Sequence, residues 1–302
     1  MGIFNLRTVL TLLLKCANIV CSSNGISYLK NSLFKANTRR KAMKKVRIFT
    51  PAFNVAGSLA KILGEFADVE LVLKAHGCKL EVLVINDNST DETKLLLEGA
   101  IAKYAWLEVK HNEQNLGNTG NIVAGYQWGA DSDAEIVGCM DADGEHSPYA
   151  IIRHLDMIAN GQCDGIVGSI IFPEHDCVNH NDRNMMRFWG GMQSDMAGID
   201  GRFYIQSPGY NLHQRHRVEK ALDLFEGYKK FFSENSREEF PRWGFHGVMI
   251  HLISAGTGAH IKAAYLECFG SSPNRTAEKL ILQSGAANLH GMLLAKFLPK
   301  KP

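Results

Sequence analysis

Five short runs rich in Val and Ile, at 46–50, 81–85, 107–110, 135–140 and 165–171, are separated by intervals long enough to hold a helix, and this alternation limits the fold more than any other feature. In the first interval Leu59, Ile62, Leu63 and Phe66 fall at i, i+3, i+4 and i+7, so they share one helix face. Strand, helix, strand, repeated four times, reads as crossover-connected strands, which lie parallel with helices over both faces of the sheet. The sequence therefore predicts an α/β fold built on a Rossmann-like, mostly parallel sheet.

Local signals mark the helix ends. Ser89-Thr90-Asp91-Glu92 fits a capping box, Ser147 before Pro148 fits an N-cap with proline at the first helical position, and Gly161 suits the end of the helix carrying Ile151, Leu155 and Ile158. Beyond Pro173 the regularity fades into a polar, Gly- and Asn-rich stretch up to about Asn211. Helical period returns with Val218, Ala221, Leu222 and Phe225, and again over 280–294. No internal repeat is present.

Charge is distributed unevenly. Residues 1–45 hold nine Lys or Arg and no acid, leaving 24 basic against 31 acidic side chains in the rest. A mildly acidic body gives no footprint for nucleic acid. The apolar part of the extension, 9–20, is interrupted by Lys15 and is too short to span a bilayer, and it lacks a small-residue cleavage pattern. It reads as a basic amphipathic helix on an anionic membrane, as an acid-poor targeting segment, or as a functionless extension with Met43 an alternative start. Seven Cys, an odd number with no C-x-x-C pair, argue for a reducing compartment, so the expected location is cytoplasmic, with peripheral contact to the cytoplasmic membrane face through 1–45.

In parallel α/β sheets ligands bind beyond the carboxyl ends of the strands. The first run ends in Thr50-Pro51-Ala52-Phe53-Asn54 and the second in Asn86-Asp87-Asn88-Ser89-Thr90-Asp91. The third leads into Asn115-Leu116-Gly117-Asn118-Thr119-Gly120-Asn121, and the fourth into Asp141-Ala142-Asp143-Gly144-Glu145-His146-Ser147-Pro148. Asp141, Asp143 and Glu145 at alternate positions are hard oxygen donors that suit Mg²⁺ or Mn²⁺ held jointly with substrate phosphates; the same acids could also cap the helix that follows. Asp87, at the end of an apolar run, can accept an N–H from a nucleobase.

Taken together in this order and at these distances, Pro51, Phe53 and Asn54, then 86–93, then Asn115, Gly117 and Asn121, then Asp141-Ala142-Asp143, resemble family 2 glycosyltransferases of the GT-A fold. The resemblance is strong over 46–172 and weak beyond, which divides a 46–302 domain into a nucleotide-sugar half and an acceptor-side half, 173–302. It implies a first-strand turn (Thr50, Pro51, Phe53, Asn54) packed around the nucleotide, Asp87 on the base, Asn118 on the donor, and Asp141 and Asp143 on cation and diphosphate. The implied reaction is inverting transfer of a sugar from a nucleotide diphosphate to a glycan, lipid or polyprenyl phosphate acceptor. Where many members place a Glu-Asp pair whose acid serves as base, this chain has His246-Gly247, so His246 takes that role, or an anionic acceptor needs no base, or the chain is a catalytically inactive protein that binds a nucleotide sugar without turning it over.

The stretch 141–148 is similar to the D-A-D-x-x-H-x-P pattern of the dolichol-phosphate mannose synthase branch, which implies Glu145 as a third metal ligand and a polyprenyl phosphate acceptor. That branch has Arg where this chain has Ile170. Elsewhere, His213, Arg215, His216 and Arg217 could clamp a phosphate or start a solvated helix. His175, Cys177 and His180 form an incomplete zinc set, and Trp189, Trp243 and Phe245 could wall a sugar or fill a core.

Overall fold

The computed structural model describes residues 43–171, 180–201, 209–235 and 245–267. The five expected runs are strands: β1 (Lys45–Ala52), β2 (Lys79–Asn86), β3 (Leu107–His111), β4 (Ile136–Met140) and β5 (Gly165–Ile171). Between them lie α1 (Ala56–Ala75), α2 (Thr93–Ile101), α3 (Gly117–Ala130) and α4 (Ala150–Ala159). The rest comprises α5 (His180–Ala197), β6 (Tyr210–Gln214), α6 (Arg215–Asn235), α7 (Phe245–His251), a π-helical turn (Leu252–Gly256) and β7 (Ile261–Glu267).

All seven strands form one sheet in the order β3-β2-β1-β4-β6-β5-β7. Every pairing is parallel except those of β6, which runs antiparallel between β4 and β5. Alternation along β1 explains the two layers of helices, because successive side chains point to opposite faces. Val46, Ile48 and Ala52 join Leu59, Ile62, Leu63 and Phe66 of α1 and Ile151, Leu155 and Ile158 of α4 in one core. Phe49 joins Ile122 and Tyr126 of α3, Val218 and Phe225 of α6 and Val248 of α7 in the other. Helix α3 lies unusually close to the sheet: a Cβ on its Gly125 would stand 2.1 Å from the Phe49 ring.

The expected end of α4 is present. Gly161 adopts φ +71°, its N–H donates to Ile158 O, and Gln162 N–H donates to Met157 O, the pairing of a Schellman cap. Two expected starts shift. Ser89 does not cap α2; Asp91 does, accepting from Thr93 N–H at 3.0 Å. Helix α4 begins at Ala150 rather than Pro148, after a turn in which Ala150 N–H donates to Ser147 O.

The second half is more regular than its sequence suggests. Helix α5 occupies part of the stretch expected to be irregular, and β6 and β7 were not foreseen. Low intrinsic helix propensity in a segment rich in Asn and Gly is overridden by packing of α5 against α7. The helix over Val218 and Phe225 is present as α6. The helix expected over 280–294 and the extension up to residue 42 lie outside the described residues, as do His175 and Cys177 and the side chains of His180, Trp189, Trp243 and Phe245. Among the described residues no helix is long and apolar enough to cross a membrane.

Candidate donor site at the carboxyl edge of the sheet

The loops after β1 and β2 are bound to each other by the polar residues that drew attention in the sequence. Asn54, at φ 54°, donates its N–H to Ser89 Oγ at 3.0 Å and accepts at Oδ1 from Thr90 N–H at 2.8 Å. Asp91 spans two helix starts: its carboxylate accepts from Ala56 N–H at 3.1 Å and from Thr93 N–H. Burial disfavours the Asp91 charge, but these hydrogen bonds outweigh it and hold the carboxyl below its ordinary value. Much of the 86–91 motif is therefore scaffold that fixes the two loops.

Asp87 is only 3% exposed and is used in the same way. Its carboxylate accepts from Leu116 N–H at 2.7 Å, Gly117 N–H at 2.9 Å and Asn112 Nδ2 at 2.9 Å. Helix α3 has no side-chain cap of its own; Asp87 supplies one from another strand and places a negative charge at the positive end of the helix dipole. A carboxylate has about four acceptor positions, so three protein donors leave room for one base N–H.

Around these loops several polar atoms lack a protein partner among the described residues. Thr50 Oγ1, Asn118 Oδ1 and Thr119 Oγ1 are buried without a hydrogen-bond partner among the described residues. Phe53 is 42% exposed, an aromatic face open beside the loops. Pro51 is half-buried within β1. Thr119 was not singled out in the sequence; its place in the first turn of α3, beside Asn118, was the available signal.

Beyond β4, Asp141 donates its N–H to Gly209 O at 2.8 Å, and its carboxylate lies on the Cα of Gly209, where a Cβ would be 2.0 Å from Oδ2. Burial, and then the nearby charges of Asp143 and Glu145, push the Asp141 carboxyl well above its ordinary value. Burial also raises Asp143, whose Oδ1 accepts the Glu145 N–H at 2.9 Å. The buried His146 imidazole is pushed down to about 4 by loss of water, against the pull of Glu145. Ser58 Oγ anchors the loop from α1 by donating to Ala142 O at 2.7 Å.

Such a set suits a divalent cation. Like charges brought together out of water are stabilised by a cation among them. Among the described residues no three acidic, His or Cys side chains are gathered closely enough to hold an ion alone. Glu145 is thus not drawn into a preformed chelate with Asp141 and Asp143, a geometry that fits an ion shared with substrate phosphates.

Two expectations take other forms. The basic cluster does not face this site: β6 runs antiparallel, so its end lies at the opposite edge of the sheet, where Arg215 N–H donates to Glu135 O. There Arg215 donates to Ala134 O, Arg217 donates to Thr257 O and Asp164, and His213 is fully buried. These residues join elements and do not clamp a substrate phosphate. The backbone of His246 lies in the first turn of α7, but its side chain lies outside the described residues.

The mostly parallel sheet, with β6 antiparallel within it, is shared with known proteins. The family model described as glycosyl transferase family 2 matches residues 47–236, and the chain belongs to that family; it is a glycosyltransferase. An undecaprenyl-phosphate mannosyltransferase of Micrococcus luteus is 29% identical over 180 residues, covering 60% of this chain and 70% of that one. A polyprenol monophosphomannose synthase of Mycolicibacterium smegmatis is 28% identical over 189 residues, covering 60% of this chain and 65% of that one. The chain thus spans about two thirds of the length of these relatives. A mannosyltransferase from Pyrobaculum calidifontis, solved in complex with GDP-Man and Mn²⁺, superimposes with a TM-score of 0.51 at 14% identity, covering 94% of this chain and 85% of that one. The fold is GT-A.

Proposed function

We propose that this chain catalyses inverting, divalent-cation-dependent transfer of a mannosyl residue from a nucleotide diphosphate to a polyprenyl phosphate. The observation that carries the reading is the carboxylate pair Asp141 and Asp143, half-buried beyond β4 with like charges around it, at the edge where loops from β1, β2 and β3 converge. Sugar and acceptor follow from the two relatives, whose names specify mannosyl transfer to undecaprenyl phosphate and formation of polyprenol monophosphomannose.

Bound Mg²⁺ or Mn²⁺ would neutralise the charge that grows on the leaving diphosphate. Asp141 and Asp143 would hold it, Asp143 from a loop braced by its own bond to Glu145 N–H. Asp87 keeps α3 and the Asn112–Gly117 loop in place for the nucleotide and retains one acceptor position for the base. Thr50, Asn118 and Thr119 offer unpartnered oxygens to the donor, and Phe53 an aromatic face. A phosphate acceptor is already an anion, so attack on the anomeric carbon needs no proton removal and His246 need not serve as a base.

The test is incorporation of radiolabelled mannose from GDP-mannose into an organic-soluble product by the purified chain. Undecaprenyl phosphate in detergent is the acceptor, UDP-glucose the competing donor, and Mn²⁺ or EDTA is added. Product that forms only with Mn²⁺ and is absent with Asp143→Ala is the expected result. No lipid-linked product from either donor overturns the assignment.

A further inference from the structure

Asn211 lies on β6 opposite Cys139 of β4 and is fully buried. Its Oδ1 accepts a hydrogen bond from the Tyr126 hydroxyl at 2.6 Å, while its Nδ2 has no partner among the described residues. A buried amide donor without an acceptor is disfavoured, and native interiors rarely leave one unmatched.

Strand geometry indicates the acceptor. Residues two apart on a strand share a face, so Cys139 and Asp141 on β4 and Asn211 and Gly209 on β6 all present to the side of the sheet covered by α3. Gly209 is the cross-strand neighbour of Asp141, and having no side chain it lets the Asp141 carboxylate lean onto β6. Asp141 and Asn211 are thereby diagonal neighbours across the strand pair, a relation within reach of their side chains. Tyr126 is held in its turn by edge-on contact with Phe49, ring centroids 4.9 Å apart.

We propose that Asn211, its amide plane set by Tyr126, is a positioning residue for Asp141: the two side chains are not hydrogen-bonded in the cation-free chain, and the unpartnered Nδ2 group takes the Asp141 carboxylate as its acceptor when a cation draws that carboxylate into place. The inference rests on the donor-site reading and concerns how this chain prepares that site. A neutral amide suits the task because it fixes the direction of the carboxylate without cancelling the charge that a cation needs.

Mn²⁺ binding to the full chain, alone and with GDP, is measured from the paramagnetic resonance signal of free Mn²⁺ for wild type, Asn211→Ala, Tyr126→Phe and the double variant, with melting temperatures in parallel. Asn211→Ala is expected to weaken Mn²⁺ binding by about 10- to 100-fold. Tyr126→Phe weakens it less, and the double variant no more than Asn211→Ala, because Tyr126 acts through Asn211. A packing role would instead lower the melting temperatures and leave Mn²⁺ affinity unchanged, which overturns the proposal. Should Asn211→Ala fail to fold, Tyr126→Phe, which keeps the ring against Phe49, decides alone, and unchanged affinity again overturns it. Wild type that binds no Mn²⁺ under either condition overturns the donor-site reading as well, whereas binding indifferent to the substitutions overturns only the role of Asn211.

Discussion

Asp87 and Asp141 sit beyond β2 and β4, on either side of β1 in the sheet, and the two carboxylates are treated in opposite ways. Asp87 is surrounded by donors from its own chain, two backbone N–H groups and one amide. Asp141 receives no hydrogen bond on its carboxylate from the described residues and instead faces burial and two further acids. Side by side, they show that an acid withdrawn from water at a strand end has no fixed meaning. One is matched within the fold and serves architecture; the other is left mismatched, which costs stability unless a ligand completes it.

The comparison can be broken most forcefully at Asp141. Asp141→Asn keeps shape and removes charge, and it should reduce transfer by about 10³-fold, the scale of losing a main electrostatic contact to the leaving group. Without cation, the same variant should melt a few degrees higher than wild type. Because the native carboxyl is raised above its unfolded value, the ionised form costs stability at neutral pH, and that cost disappears as pH falls through the raised value. The difference in melting temperature should therefore shrink on acidification. A variant that is both inactive and less stable would show that Asp141 is as well matched as Asp87.

Asp87→Ala should do the reverse. It strands the Leu116 and Gly117 N–H groups at the uncapped start of α3, and the expected cost is about 3 kcal/mol, each buried donor without an acceptor contributing about 1–3 kcal/mol. Urea unfolding measures it. Asp87→Asn, which retains one acceptor oxygen, should lose roughly half as much. An unchanged midpoint for both would mean that α3 holds its start without this cap.

The same contrast explains what could be read from the sequence. The central strands β2 and β4 were legible because strands buried on both faces are apolar throughout, as Val82, Val84 and Ile85 are, whereas β3 at the edge shows only alternation, with Leu107 buried and Glu108 and Lys110 exposed. Strand β6 was not, since Asn211 and His213 are polar yet fully buried, and only the alternation Tyr210-Asn211-Leu212-His213 hinted at a strand. The acids at 141, 143 and 145 could be found by spacing, but spacing alone could not separate Asp87 from Asp141. What separates them is the placement of α3 and β6, brought from 29 and 68 positions away by Leu116 and Gly209, and such long-range pairings leave no local pattern. The two readings of the basic cluster stayed open for a related reason: the antiparallel direction of β6, which places 213–217 at the far edge and makes Arg215 the start of α6, is a property of topology.

The smallest expected effect sharpens the contrast from that far edge. Glu81, on β2, is ringed by Arg47 at 2.7 Å, Lys79 at 2.6 Å and Lys45 at 3.4 Å, and Arg47 also lies over the Trp128 ring, 4.3 Å from its centroid. Burial alone would raise the Glu81 carboxyl, but hydrogen bonds from Lys79 and Arg47, and their charges, hold it at about 2. A carboxyl lowered on folding adds stability that is complete above its unfolded value of 4.5 and is lost as pH falls toward about 2. Part of each side chain still meets water, so screening limits the gain, and Glu81→Gln should cost about 1–2 kcal/mol at pH 7. The deficit should vanish near pH 2, whereas Asp141→Asn loses its distinction from wild type at higher pH, as pH falls through the raised Asp141 value toward the ordinary 3.8, and with the opposite sign: acid removes a benefit at Glu81 and a penalty at Asp141. If Glu81→Gln were neutral at pH 7, matched charge at the far edge would be an ornament of the surface, and only the working edge would carry electrostatic consequence for the fold.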